Sequence, residues 1–94
     1  MSDVTTKPGT INSKPTIRIK VYSPFETYFN DNAYSISAVN GTGPFDVLAK
    51  HHNFITLLNP CELRIMNDGD PVRIRITRGI MHVKSDQVTV FLDV

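Results

Sequence analysis

The side chains able to do chemistry are few and scattered. Cys61, the single cysteine, follows Pro60; His51 and His52 are adjacent, and His82 lies far downstream. Neighbouring residues on a strand point to opposite faces, so His51 and His52 cannot chelate one ion together from a strand. No Cys-x-x-Cys or His-x-x-x-His spacing brings a third ligand, and the histidines read as solvent-facing. Cys61 needs a base beside it to act as a nucleophile; the sequence supplies none, and packing is the preferred reading. Asp31, Asp68, Asp70 and Asp86 stand singly in turn-like stretches, where a carboxylate serves the backbone. No pair is arranged for acid–base work. Asn40-Gly41-Thr42-Gly43 is too short for a phosphate loop and leads into a strand, not a helix. No catalytic, metal or cofactor site is expected, and the chain reads as a non-enzyme.

The basic residues pose a second question. Arg18, Lys20, Arg64, Arg73, Arg75 and Arg78 fall on alternating positions, with Tyr22, Tyr28 and Phe91 available as stacking platforms. A small β-barrel binds single-stranded nucleic acid with such a combination. The net charge of +1 supplies no global attraction, however. A solvated outer face whose long charged side chains protect edge strands is preferred.

The elements that must position these residues are short strands. Ile17, Ile19 and Val21 alternate with Arg18, Lys20 and Tyr22, the period-2 signature of a half-buried strand that Ser23-Pro24 ends. Further strands are expected over 25–29, closed by a turn at Asn30-Asp31-Asn32, over 33–39, and over 45–48. Others follow over 54–58, 62–66, 72–76, 80–84 and 87–92. Asn40-Gly41 is expected as a two-residue hairpin turn, Asn67-Asp68-Gly69-Asp70 as a second, and Ser85-Asp86 as a third. No stretch of ten residues has helical periodicity. The expected fold is all-β, an antiparallel β-sandwich or flattened barrel of about eight to ten short strands.

Ninety-four residues with 40% hydrophobic and 20% charged content make one soluble globular domain. Beyond Met1, residues 1–14 carry only Val4 and Ile11 as large apolar side chains and are expected to form a disordered tail, leaving 15–94 as the single domain. No apolar run reaches the length of a membrane span, and the N-terminus lacks a signal-peptide core. A lone cysteine fits a reducing compartment, and a cytoplasmic location is expected. The stretch from Val39 to Cys61 departs from plain alternation by packing turns, a basic-polar loop and an apolar run together. It is the expected working surface.

From Val21 onward the sequence resembles the N-terminal β-sandwich domain of the ε subunit of F-type ATP synthase, called δ in mitochondria. Val21-Tyr22-Ser23-Pro24 matches the family's strand ending in Ser-Pro, and Phe29 its next aromatic. Asn40-Gly41-Thr42-Gly43-Pro44-Phe45-Asp46-Val47-Leu48-Ala49-Lys50-His51 matches Gly-Thr-x-Gly-x-Phe-Gly-Val-Leu-Pro-Gly-His. Leu58-Asn59-Pro60-Cys61 matches Leu-x-Pro-Gly, Thr77-Arg78-Gly79-Ile80 matches Ser-Gly-Gly and a hydrophobic residue, and the segment 88–93 matches the closing Val-Thr-Val-Leu-x-Asp strand.

The resemblance implies a non-catalytic subunit, without cofactor or metal, that binds the γ subunit and the c-ring and couples proton translocation to rotation. It implies no nucleic-acid partner and no direct membrane insertion, with a location peripheral to the inner face of the membrane. Gly43, Phe45 and His51 are its best matching partner-binding residues; their blander roles are a turn glycine, a core aromatic and a solvent-facing histidine. The match ends where the family's C-terminal helical hairpin begins, so the hairpin's inhibitory and ATP-sensing roles are not carried over. Asp46, Lys50, Cys61 and Arg78 replace glycines of the pattern and Ala49 replaces its proline, which implies altered turns. The alternatives are a stand-alone interaction module of the same fold with another partner and, less favoured, a small nucleic-acid-binding β-barrel.

Overall fold

The computed structural model describes residues 15–50 and 52–93. The expected tail over 1–14 and the position of His51 lie outside the described residues. Nine strands follow in order: β1 Ile17–Tyr22, β2 Thr27–Ala33, β3 Ser35–Asn40, β4 Gly43–Leu48, β5 Phe54–Leu58, β6 Cys61–Met66, β7 Val72–Ile76, β8 Gly79–Lys84 and β9 Gln87–Leu92. They form two sheets, one of five strands in the order β2-β1-β9-β8-β5 and one of four in the order β4-β3-β6-β7.

Alternation sets which side chains face inward. On β1, Ile17, Ile19 and Val21 are buried and Arg18 and Lys20 exposed; on β8 and β9 the inward set is Met81, Val83, Val88, Val90 and Leu92. The four-stranded sheet answers with Ile36, Ala38, Val47, Leu63, Ile65 and Ile76. Together these make one core between the two layers, the arrangement in which each sheet hides its apolar face against the other. Cys61 is buried and unbonded, in register with Ile76; its thiol packs as a small apolar group.

Three expectations need correction. The second strand does not run over 25–29. The Ser23 hydroxyl, itself buried, accepts the Phe25 and Glu26 N–H groups at 3.2 and 3.3 Å, and Ser23 N–H donates to Glu26 O at 2.8 Å. This turn leaves Phe25 82% exposed. The strand then runs through Asn30-Asp31-Asn32, which pair with Lys20, Ile19 and Arg18. On an edge strand, polar side chains stay in water while the backbone forms its single ladder, so these residues need no turn. The change of sheet falls at Tyr34, between β2 and β3.

The β3–β4 turn also differs from the expected one. Asn40 and Gly43 are the facing pair, leaving Gly41 and Thr42 at the tip. Asn40 Oδ1 accepts both the Thr42 N–H and the Thr42 hydroxyl, at 2.9 and 2.7 Å. The left-handed conformation falls on Gly43, with φ 119°, a value that costs glycine little because it has no Cβ. The sandwich is antiparallel as expected apart from one pair of described neighbours, β1 and β9, which is parallel. Parallel neighbours need a long crossover, and the chain between them builds all the other strands.

Candidate interaction face

The outer face of the five-stranded sheet carries an apolar row across four strands. Leu57 on β5 faces Ile80 on β8, Ile80 faces Phe91 on β9, and Phe91 faces Tyr22 on β1. Ile55 stands beside the row on β5. Leu57 is 70% exposed, Ile55 66% and Ile80 45%. An open groove of about 680 Å³ runs along one end of the row, lined by Leu57, Pro60, Ile80, Phe91, Arg78 and Asp93. Contiguous exposed apolar surface of this kind marks a contact face, because water contact with it is unfavourable.

Apart from Tyr28 on β2, the rest of the same face is polar. His82 lies between Ile55 and Thr89, and Lys20 follows Thr89 on β1. Contacts hold the Tyr22 end of the row and the rim of the groove. Tyr22 and Phe91 meet edge to face with centroids 5.2 Å apart, and Lys20 Nζ sits 4.8 Å from the Tyr22 centroid. At the groove's rim Arg78 Nε donates to Asp93 Oδ2 at 2.9 Å, and Asp93 N–H donates to Arg78 O at 3.3 Å. Both side chains are mostly exposed, so the ion pair adds little stability; its backbone partner helps close the end of the sheet.

Gly79, at the end of the groove, is held to its identity by close packing. A Cβ there would lie 2.7 Å from the Phe91 carbonyl oxygen. The Arg78-Gly79 step therefore retains the glycine whose absence a strand pair could not absorb.

The residues expected to bind a partner lie elsewhere. Phe45 points inward from β4, half-buried, with its ring edge to face against Phe54 at 6.2 Å. Gly43 begins β4, with open space where a Cβ would project. Neither reaches the apolar row, but β5 connects them to it. Phe54 is on the inner side of β5 and Ile55 and Leu57 are on the outer side. Asn59 N–H donates to Val39 O at 2.9 Å and Asn40 Nδ2 to Thr56 Oγ1 at 3.1 Å, tying the β3–β4 hairpin to this strand. His51 lies outside the described residues. Two described residues near it in sequence are tied to the β8–β9 turn: Lys50 N–H donates to Asp86 Oδ1 at 3.1 Å, and Asn53 Oδ1 accepts Ser85 N–H at 2.7 Å. Lys50 has φ 66°. Lys50 stands where the family pattern has glycine, and its own backbone is left-handed.

Other sequence candidates are separated by the fold. The six basic residues do not form one stripe. Arg18 and Lys20 lie on the five-stranded sheet, Arg64, Arg73 and Arg75 on the outer face of the other sheet, and Arg78 at the groove. Among the described residues, no three His, Cys, Asp or Glu side chains come close enough to hold a metal ion. At the corner between sheets, Tyr34 donates its hydroxyl to Asp68, and this hydrogen bond, with smaller contributions from desolvation and the Asp68 charge, raises the Tyr34 pKa.

The apolar row was missed from the sequence, although a signal for it is present. Phe54-Ile55, Leu57-Leu58, Ile80-Met81 and Phe91-Leu92 are apolar doublets inside strands. Because successive side chains alternate in direction, a doublet in a sheet with one wet face exposes one of its members.

Residues 16–94 match the family described as ATP synthase, Delta/Epsilon chain, beta-sandwich domain. The chain belongs to this family. Among its relatives, the ATP synthase epsilon chain of Ruthia magnifica is 32% identical over 78 residues, covering 83% of this chain and 56% of the relative. That of Protochlamydia amoebophila is 32% identical over 76 residues, covering 80% and 52%. The chain thus spans just over half the length of these curated relatives. Two solved assemblies contain chains of the same fold. In the Tetrahymena thermophila mitochondrial ATP synthase central stalk/c-ring structure the match has a TM-score of 0.72 at 18% identity, covering 86% of this chain and 66% of that one. In the Euglena gracilis mitochondrial ATP synthase OSCP/F1/c-ring structure it has a TM-score of 0.76 at 20% identity, covering 96% and 59%. The Delta/Epsilon sandwich accounts for the two-layer architecture found here. Among the described residues, no helix is long and apolar enough to cross a membrane.

Proposed function

We propose that this domain is a non-catalytic coupling subunit of an F-type ATP synthase, which holds the γ subunit through the outer face of its five-stranded sheet and sits against the c-ring. The observation that carries the reading is the apolar row of exposed Leu57, Ile80 and Phe91, continued by half-buried Tyr22, on a sheet whose opposite face is the core. Family membership supplies the kind of assembly. The row supplies an apolar docking patch with a polar margin, the anatomy of a protein–protein contact.

In this reading Gly43, Phe45 and His51 act from the β3–β4 hairpin and the loop after β4. Gly43 shapes the hairpin, Phe45 fixes it to β5 through Phe54, and His51 is the contact side chain. The domain does no chemistry of its own; it transmits torque between rotor parts, peripheral to the inner face of the membrane. Calorimetric titration of the chain into purified γ subunit tests this. Saturable binding that Leu57→Asp abolishes, with an unchanged circular dichroism spectrum, is the expected result. A folded chain that does not bind γ would point to the same sandwich used as an interaction module for another partner.

A further inference from the structure

The outer side of the four-stranded sheet holds a second, chemically different surface. Arg64 on β6 stands directly opposite Arg73 on β7, and Arg75 follows Arg73 on the same face. Like charges directly opposite each other on a sheet are destabilising. Carboxylates are close by in the ladder: Glu62 faces Arg75, and Asp46 faces Ser37, which itself faces Arg64. Yet the Ser37 hydroxyl donates to Asp46 at 2.6 Å, and no ion pair or side-chain hydrogen bond engages any of the three guanidinium groups among the described residues. Their N–H groups face solvent and are free to take an outside anion.

The strand that carries two of them is also an edge. β7 pairs with β6 on one side and ends the sheet on the other, so one row of its backbone groups is open to another strand. Its inward side chains Val72 and Ile74 are only half-buried, although they pack against the core. An added strand would therefore meet apolar surface on one side and arginine on the other. Alternate residues of any strand repeat at the same spacing, so carboxylates two positions apart on an added strand match Arg73 and Arg75. The guanidinium fork fits a carboxylate in a bidentate manner.

We infer that the open edge of β7 binds an extended segment of a partner protein in which acidic and apolar residues alternate. The segment adds as a fifth strand to the four-stranded sheet. Its carboxylates pair with Arg73 and Arg75, with Arg64 one strand further in, and its apolar side chains cover Val72 and Ile74. A nucleic-acid strand fits this face less well, because the exposed aromatics Phe25, Tyr28 and Phe91 belong to β2, β9 and the turn before β2, on the other sheet, and single strands need stacking platforms.

Fluorescence anisotropy with the full chain and a labelled eight-residue peptide alternating Glu and Val tests the inference. Saturable binding at low salt is expected, with chemical-shift changes centred on the amides of residues 72–76. A peptide alternating Lys and Val is expected not to bind. Arg73→Glu/Arg75→Glu, whose exposed positions leave the core untouched, is expected to weaken binding by about tenfold or more. N-methylation of alternate peptide amides on the pairing side is expected to abolish it. Absence of saturable binding, equal binding by the double variant, or full binding by the N-methylated peptide would overturn the inference. So would tighter binding to oligo-dT or to phosphatidylserine vesicles that depends on the same arginines.

Discussion

Leu57 on β5 and Ile80 on β8 face each other across an antiparallel ladder, both on the water side of the sheet. Each has an apolar neighbour in sequence, Leu58 and Met81, that is buried in the core. The two strands are therefore apolar on both faces at this level, one face satisfied by the sandwich and the other open.

This arrangement separates stability from binding along a single dipeptide. Leu57→Ser is expected to change unfolding free energy by no more than about 0.5 kcal/mol while weakening γ-subunit binding at least tenfold. Leu58→Ala, one residue on, is expected to cost about 2–5 kcal/mol through the cavity it leaves. Urea denaturation beside calorimetric binding measurements on both variants checks the contrast.

Gly79→Ala is expected to destabilise the domain by about 1–3 kcal/mol. The new methyl would meet the Phe91 carbonyl oxygen at 2.7 Å and the Leu92 side chain at 3.1 Å. Backbone on a central strand yields less readily than a side chain tip. A lowered denaturation midpoint with an unchanged urea dependence is the expected reading.

Lys50 and Ser85 have φ values of 66° and 55°, where a Cβ crowds the following carbonyl. Lys50→Gly and Ser85→Gly each keep the backbone N–H that bonds Asp86 or Asn53. Each is expected to stabilise the domain by about 0.5–1 kcal/mol, the relief of strain exceeding the added freedom of the unfolded chain. Thermal unfolding of the two variants and of their combination measures this.

The Tyr34–Asp68 pair gives an alkaline signature. The hydrogen bond to Asp68 raises the Tyr34 pKa above the ordinary value of 10.0. The folded state thus holds the phenol proton more tightly than the unfolded one. The stabilising contribution is fully present below the ordinary tyrosine pKa and is lost as pH rises through the folded value. Asp68→Asn is expected to bring the Tyr34 titration back toward the ordinary value, read by NMR of ring-labelled tyrosine. An unchanged midpoint would disconnect the pair.

The all-β class, most strand positions and the family were legible in the chain because they are properties of local order. Ile17 to Tyr22, Phe54 to Leu58, Val72 to Ile76 and Gln87 to Leu92 alternate strictly enough, or are bounded by turn residues clearly enough, to define strands without knowledge of their partners. Ser-Pro, Asn-Gly and the closing Val-Thr-Val segment keep their spacing whatever the chain packs against. What failed also has a local explanation. Asn30-Asp31-Asn32 has the composition of a turn, and only its place at a sheet edge lets it be a strand.

Which faces are wet, and what meets on them, was decided by tertiary structure alone. The six basic residues look continuous in sequence order, yet sheet order distributes them over separate surfaces. Leu57, Ile80, Phe91 and Tyr22 are far apart in the chain and become a row only through three ladder registers. Register is a relation between strands, fixed when one face of each is buried against the other sheet. No single stretch of residues contains it.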